Sequence, residues 1–153
     1  MTPHHSPPAY SRFFHAATLL WLSMIAGILL FAAIVSGFLW FLGDRLQAGP
    51  NVALLGEVGA LAGAVSARWF PKSALLRRRF DFQREDQRLD AFRLGSIVGL
   101  ALAEAGALVL LVAMLISQTL LPALFFLALP LWSMLALRPS MHAFEAFCQL
   151  HRP

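Results

Sequence analysis

A single carboxylate, Glu104, lies near the middle of the apolar run from Leu94 to Ile116, with no other charged residue between Arg93 and Arg138. In a bilayer core a charged carboxylate costs about 2.5 kcal/mol or more, so such groups are protonated, paired or turned toward other helices. Glu104 is therefore either a proton- or cation-binding carboxylate, or a neutral acid hydrogen-bonded across helices to a Ser or a backbone carbonyl. The sequence favours the neutral acid, because no opposite intramembrane charge marks a transport path.

A second acid, Glu57, lies in a similar local sequence. The segments 57–61 and 104–108 share the pattern Glu-x-Gly-Ala-Leu. In helices that run in opposite directions, such a pattern gives an inverted relation. At 1.5 Å per residue, Glu57 lies about 9 Å from the outer end of its helix and Glu104 about 15 Å from the inner end. We expect the two carboxylates not to touch, although a relay through water stays open.

The composition indicates the elements that hold these acids. The chain has 153 residues, of which 59% are hydrophobic and 13% are charged. That is too apolar for an ordinary soluble domain and too short for two. We predict one all-α integral membrane domain over residues 1–153, a bundle of four transmembrane helices. Four runs are long enough to cross about 30 Å of hydrocarbon: Ala16–Leu42, Val52–Phe70, Leu94–Ile116 and Leu120–Leu137. The first is too long for a signal-peptide core of about 7–15 residues and is read as retained.

The basic residues predict an orientation. Most of them lie in the connector 71–93 or beside it, so the positive-inside rule makes this connector cytoplasmic. Both termini are then cytoplasmic as well, and only Arg45 falls on the outer side. This distribution is typical of a bacterial inner (plasma) membrane protein. It accounts for the formal charge of +4, so we do not expect a nucleic-acid partner.

The connector itself is predicted to be helical. Acid-before-base pairs at i,i+3 spacing each contribute a few tenths of a kcal/mol to a helix. The connector is either a docking surface for a partner or anionic lipid heads, or a solvated helix extension, which we favour. The pairs are Asp81/Arg84, Glu85/Arg88 and Asp90/Arg93.

Small residues predict how the central helices pack. Lipid gives no hydrophobic drive for helix association, so close approach through small side chains matters most. Gly59 and Gly63 form one small-xxx-small pair, and Gly95 and Gly99 form another that Ala103 and Ala107 continue. We expect an antiparallel hairpin of the second and third helices. In the fourth, Pro130 predicts a kink, and three of the four tryptophans are read as interface anchors.

The last residues predict a short helix on the inner membrane interface, because Met141, Phe144, Phe147 and Cys148 recur at helical spacing. The lone cysteine excludes an intramolecular disulfide framework. His4 and His5 are read as loop residues rather than metal ligands. We predict no metal site and no cofactor.

Two resemblances accompany this interpretation. The segment from Phe92 to Leu108, followed by Leu137-Arg138-Pro139-Ser140 and an amphipathic tail, resembles a family of small uncharacterised bacterial four-span membrane proteins. That resemblance implies the fold and no activity. The second and third helices, with the basic connector and Leu102-Ala103-Glu104, also resemble the rotor proteolipid hairpin of ATP synthases, which implies an ion-carrying role for Glu104.

The expected function is that of a non-enzymatic multi-pass membrane protein, a structural or accessory component of a membrane assembly. The sequence has no nucleophile–base arrangement, metal-ligand cluster or phosphate loop. Expected partners are the lipid bilayer and other membrane subunits or a second copy of the chain. The alternative is a proton- or cation-translocating element, with Glu104 and Glu57 as the candidate ion-binding residues.

Overall fold

The computed structural model describes residues 8–42, 50–73, 80, 84–118 and 120–150, and every regular element among them is helical. The all-α prediction is therefore confirmed. A short 3-10 turn, Phe70–Lys72, extends the second helix. The helices are α1 (Pro8–Leu42), α2 (Pro50–Trp69), α3 (Glu85–Ser117), α4 (Leu121–Ala136) and α5 (Met141–Leu150).

Three helices are long and apolar enough to cross a membrane, over Phe13–Phe41, Asn51–Lys72 and Gln87–Ser117. The fourth predicted span is shorter than expected, because the 16 residues of α4 rise only about 24 Å. Together Ala123–Ala136 and Met141–Gln149 pass the same test, but they are bent by 86°. The described residues thus contain three candidate spans, or four if this bent pair is one span.

The observed helices extend beyond the hydrophobic runs. α1 begins at Pro8 rather than Ala16, and α3 begins at Glu85 rather than Leu94. Hydropathy marks the residues suited to lipid, whereas a helix continues into polar sequence as long as its hydrogen bonds do. The start of α3 includes the Glu85/Arg88 and Asp90/Arg93 positions of the predicted connector helix, while Asp81 lies outside the described residues.

The turn after α3 and the bend after α4 fix the second half of the chain. Gln118 caps α3 in the left-handed conformation with φ 55°, and its N–H donates to the Met114 carbonyl at 2.9 Å. This is a common helix ending that satisfies a terminal carbonyl. α4 stays helical through the buried Pro130, and the 86° change of direction follows Ala136.

The helices pack unequally. α2 and α3 share the most extensive interface, α4 packs on both of them, and α1 contacts mainly α3. Of the most hydrophobic window in each span, half is buried in α3, but only 22% in α2 and 17% in α1. Large apolar side chains are exposed along α1 to α4, the opposite of a water-soluble bundle's surface.

Candidate functional site

The closest helix–helix contact is a line of small residues between α2 and α3, here called the small-residue seam. At Gly63, an added Cβ would lie 2.7 Å from the Leu102 carbonyl oxygen and 2.8 Å from the Gly106 Cα. At Gly56 it would lie 2.5 Å from the Ala113 Cβ. The backbones therefore approach so closely that glycine is required. The seam comprises Gly56, Ala60, Gly63 and Ala67 on α2, and Gly99, Ala103, Gly106 and Ala113 on α3, with Leu110 as its one large residue.

The spacing of the seam corrects the predicted packing. Its members alternate steps of four and three residues, which is the 3.5-residue period of a left-handed coiled coil. Residues spaced strictly four apart move gradually around the helix, away from the facing helix. Gly106, and not the predicted Ala107, therefore lies against Gly63. Of the predicted packing glycines, Gly59, Gly63 and Gly99 lie against the facing helix, and Gly95 is buried one turn before Gly99.

The seam fixes the relative heights of the two acids. Because Gly63 faces Gly106, Glu104 lies at the level of Val65, eight residues along α2 from Glu57. At 1.5 Å per residue this is about 12 Å along the helix axis, too far for a direct hydrogen bond between the carboxylates.

The two acids also have different neighbours along their helices. Both are half-buried. Glu57 shares a face of α2 with Ala64, whose carbonyl is contacted from α4. Glu104 lies between the buried Leu100 and the exposed Leu108, at the edge of the α3 core face. The structure therefore does not bring the two predicted ion-binding residues into one site.

Two hydrogen bonds between helices come from residues that the sequence did not single out for this role. The Trp21 indole Nε1–H donates to the Met134 carbonyl at 2.7 Å, and the Ser133 hydroxyl donates to the Ala64 carbonyl at 3.3 Å. Trp21 is only 8% exposed, whereas the other three tryptophans are exposed, as expected for interface anchors. Neither bond involves Glu104.

A group of phenylalanines closes the end of the bundle where α3 begins; it is called the aromatic cluster. Phe92 lies at its centre, with ring centroids 5.4 Å from Phe144 and 5.5 Å from Phe147 in edge-to-face geometry. Phe14 of α1 lies 6.4 Å from the same ring. Phe13 completes it, 5.2 Å from Phe14. The predicted short C-terminal helix is present as α5, and its Phe144 and Phe147 side chains are buried against protein.

Basic side chains gather at this same end, called the basic end. Arg68 and Lys72 line a notch beside Leu137. Arg93 lines a separate cleft between α1 and α3, and its guanidinium lies 5.9 Å from the centre of the Phe13 ring. The Arg138 guanidinium lies 5.8 Å from the Trp21 ring centre. The end of α2, the start of α3 and the end of α4 therefore place their basic residues at the same end of the bundle.

Metal-binding geometry is absent from the described part of the chain, where no group of three or more His, Cys, Asp or Glu residues is close enough to hold an ion. His4 and His5 lie outside the described residues.

The part of the chain that the structure describes is all-helical, with three or four helices suited to cross a membrane. Comparisons with known protein families, curated proteins and solved structures find no match. The two resemblances seen in the sequence therefore stay predictions.

Proposed function

We propose that this chain is a non-enzymatic multi-pass protein of a bacterial inner membrane and that it serves as a structural or accessory component of a membrane assembly. The observation that carries the proposal is the unequal packing of the spans. α2 packs on both α3 and α4, whereas α1 contacts mainly α3 and leaves most of its apolar length uncovered. A helix with this much free apolar surface is available to transmembrane helices of another subunit or of a second copy.

The free face of α1 suits such contact. Gly27 and Gly37 have nothing within 4 Å of an added Cβ. Ala26, next to Gly27, and Ala33, between the two glycines, are both exposed. Small residues allow the close backbone approach on which helix association in lipid depends. In α2 and α3, by contrast, Gly56, Gly59, Gly63, Gly99 and Gly106 already lie against the facing helix.

The proposed topology has four spans, with both termini cytoplasmic. The gathering of Arg68, Lys72, Arg93 and Arg138 at one end of the bundle supports it, because cytoplasmic ends of membrane helices are enriched in such residues. Cysteine labelling in intact cells tests the orientation, with Cys148 replaced by Ala and single cysteines introduced at Lys72 and Gln47. A membrane-impermeant maleimide should label the second position and spare the first. The reverse pattern would contradict the topology.

Site-specific photo-crosslinking tests the assembly role. A photoreactive residue at Ala33, on the free face of α1, should give a discrete protein adduct in native membranes. The same residue at Ala62, exposed on α2, is the matched control and should give lipid adducts. The adduct mass distinguishes a second copy from another chain. Lipid adducts alone at both positions, together with a monomer in mild detergent, would overturn the proposal.

The second candidate function, ion translocation through Glu104, is favoured by one observation. Glu104 is half-buried in the helix with the largest buried share, two residues from the closest approach of α2 and α3. A carboxylate at such a position is suited to carry a proton or cation.

Replacing Glu104 by Gln separates the two functions. In reconstituted liposomes, E104Q should leave proton and sodium flux unchanged if the chain is an accessory component, and labelling by a carboxyl-directed carbodiimide should match that of the E57Q control. Loss of flux in E104Q alone would make translocation the function and refute the accessory role.

A further inference from the structure

We infer that the cleft between α1 and α3 at the basic end binds one anionic phospholipid, with its phosphate at Arg93 and part of one acyl chain in the cleft. This inference rests on the proposal that the chain spans a membrane. The cleft is lined at its mouth by Phe13, Arg93 and Pro139, and farther along the helices by Ala17, Leu20 and Leu100.

The lining of the cleft changes from polar to apolar along its length, as a phospholipid changes from headgroup to acyl chain. Arg93, an exposed cation, lies at the start of the apolar part of α3, and the Ser96 hydroxyl follows one turn later. Beyond them the wall is aliphatic, and no carboxylate is among the described residues that line the cleft. A guanidinium forms strong hydrogen bonds with phosphate oxygens, and a hydroxyl can donate another. The apolar wall then continues in the direction that an acyl chain takes into the membrane.

The size of the cleft limits what enters it. Its volume is about 120 Å³, comparable with the roughly 150 Å³ of an apolar cavity that takes up benzene. It therefore holds a short stretch of one acyl chain and not a whole lipid. The rest of the lipid lies along the exposed Leu20 and Ile97 side chains at its rim.

The charge of Arg93 makes the site selective for anionic headgroups. A basic residue near an anionic membrane surface favours binding by about fivefold, equivalent to about 1 kcal/mol. The Phe13 ring under the guanidinium holds this cation at the mouth of the cleft. The acyl chain of a zwitterionic lipid can enter the same cleft, but the cation of its headgroup is repelled by Arg93.

Photo-crosslinking with phosphatidylglycerol that carries a diazirine in its acyl chain tests the site. In mixed vesicles, adducts should map to the segments around Leu20 and Leu100, and R93Q should reduce them about fivefold. R93K keeps the charge and should retain most of the labelling. R68Q removes a cation of the same end that lies outside the cleft, so it should leave these adducts unchanged.

Blocking the cleft provides an independent test. A17F places a ring where the acyl chain would lie and should abolish labelling around Leu100, whereas A62F, on the exposed face of α2, should not. Equal labelling by phosphatidylcholine and phosphatidylglycerol, or no effect of R93Q, would overturn the inference. Competition by inorganic phosphate alone would reassign the site to a free anion. Absence of lipid adducts along every helix would instead refute membrane insertion.

Discussion

The substitution Gly63→Ala is the most direct probe of the α2–α3 interface. The added methyl group meets backbone atoms on the facing helix, at 2.7 Å from the Leu102 carbonyl oxygen and 2.8 Å from the Gly106 Cα. Ordinary van der Waals contact begins at 3.4 Å, so the helices must move apart by about 0.7 Å at this point. Backbone atoms have no rotamer through which to yield.

The expected loss of stability follows from two opposing terms. Overpacking a well-packed interface costs up to about 3 kcal/mol, and replacing Gly by Ala in a helix returns up to about 1 kcal/mol. We therefore expect Gly63→Ala to lower the free energy of unfolding by about 2 kcal/mol. The measurement is equilibrium unfolding by SDS in mixed micelles, followed by circular dichroism.

Two further glycines provide the controls. Gly37→Ala adds its methyl group in open space on α1, so it should leave stability unchanged or slightly raised. Gly59→Ala meets the Val109 Cγ1 at the same 2.7 Å, but this contact is with one methyl group of a half-exposed side chain and not with the facing backbone. Its cost should fall between the other two. If the Gly63→Ala variant has the same free energy of unfolding as the Gly37→Ala variant, then α2 and α3 do not approach each other closely at Gly63 and Gly106.

Three other substitutions test the contacts outside the seam. Trp21→Phe removes the donor to the Met134 carbonyl. It should lower the free energy of unfolding by about 1–2 kcal/mol in the same assay, near the upper range for interhelical hydrogen bonds in membranes. An unchanged free energy of unfolding would mean that the bond is absent in lipid. Ser133→Ala should cost less, about 0.6 kcal/mol, because the bond to the Ala64 carbonyl is long and that carbonyl is part of a helix. Phe92→Ala should cost about 3–5 kcal/mol and make α5 accessible to protease, and an unchanged cleavage rate would contradict its central position in the aromatic cluster.

Hydrophobic runs located the long helices because lipid and helix geometry together demand about 20 apolar residues in a row. They could not locate the polar helix ends. The first turns of α3 from Glu85 are held by backbone hydrogen bonds that hydropathy does not register. α4 had a sufficient apolar run but ends as a helix at Ala136, four residues before the Ser140 that precedes α5.

The packing was less predictable than the helices. Small residues identified the correct pair of helices. The assumed four-residue spacing, however, placed Ala107 in the α2–α3 contact, whereas the 3.5-residue period of a coiled coil places Gly106 there. The alternation of four and three residues was present in the sequence and is the signal that could have found it. Nothing local marked Phe92 as a centre, because its partners belong to α5 and meet it only in the folded chain.

The order of synthesis gives the aromatic cluster a further consequence. Phe92 emerges from the ribosome with α3, but Phe144 and Phe147 follow only after all of α4 has been made. Until then its ring has no α5 to cover it, and exposed aromatic surface on an unfinished chain attracts chaperones and aggregates. The docking of α5 is therefore a late step of folding, and a chain stalled before Met141 would leave the Phe92 ring without its two α5 partners.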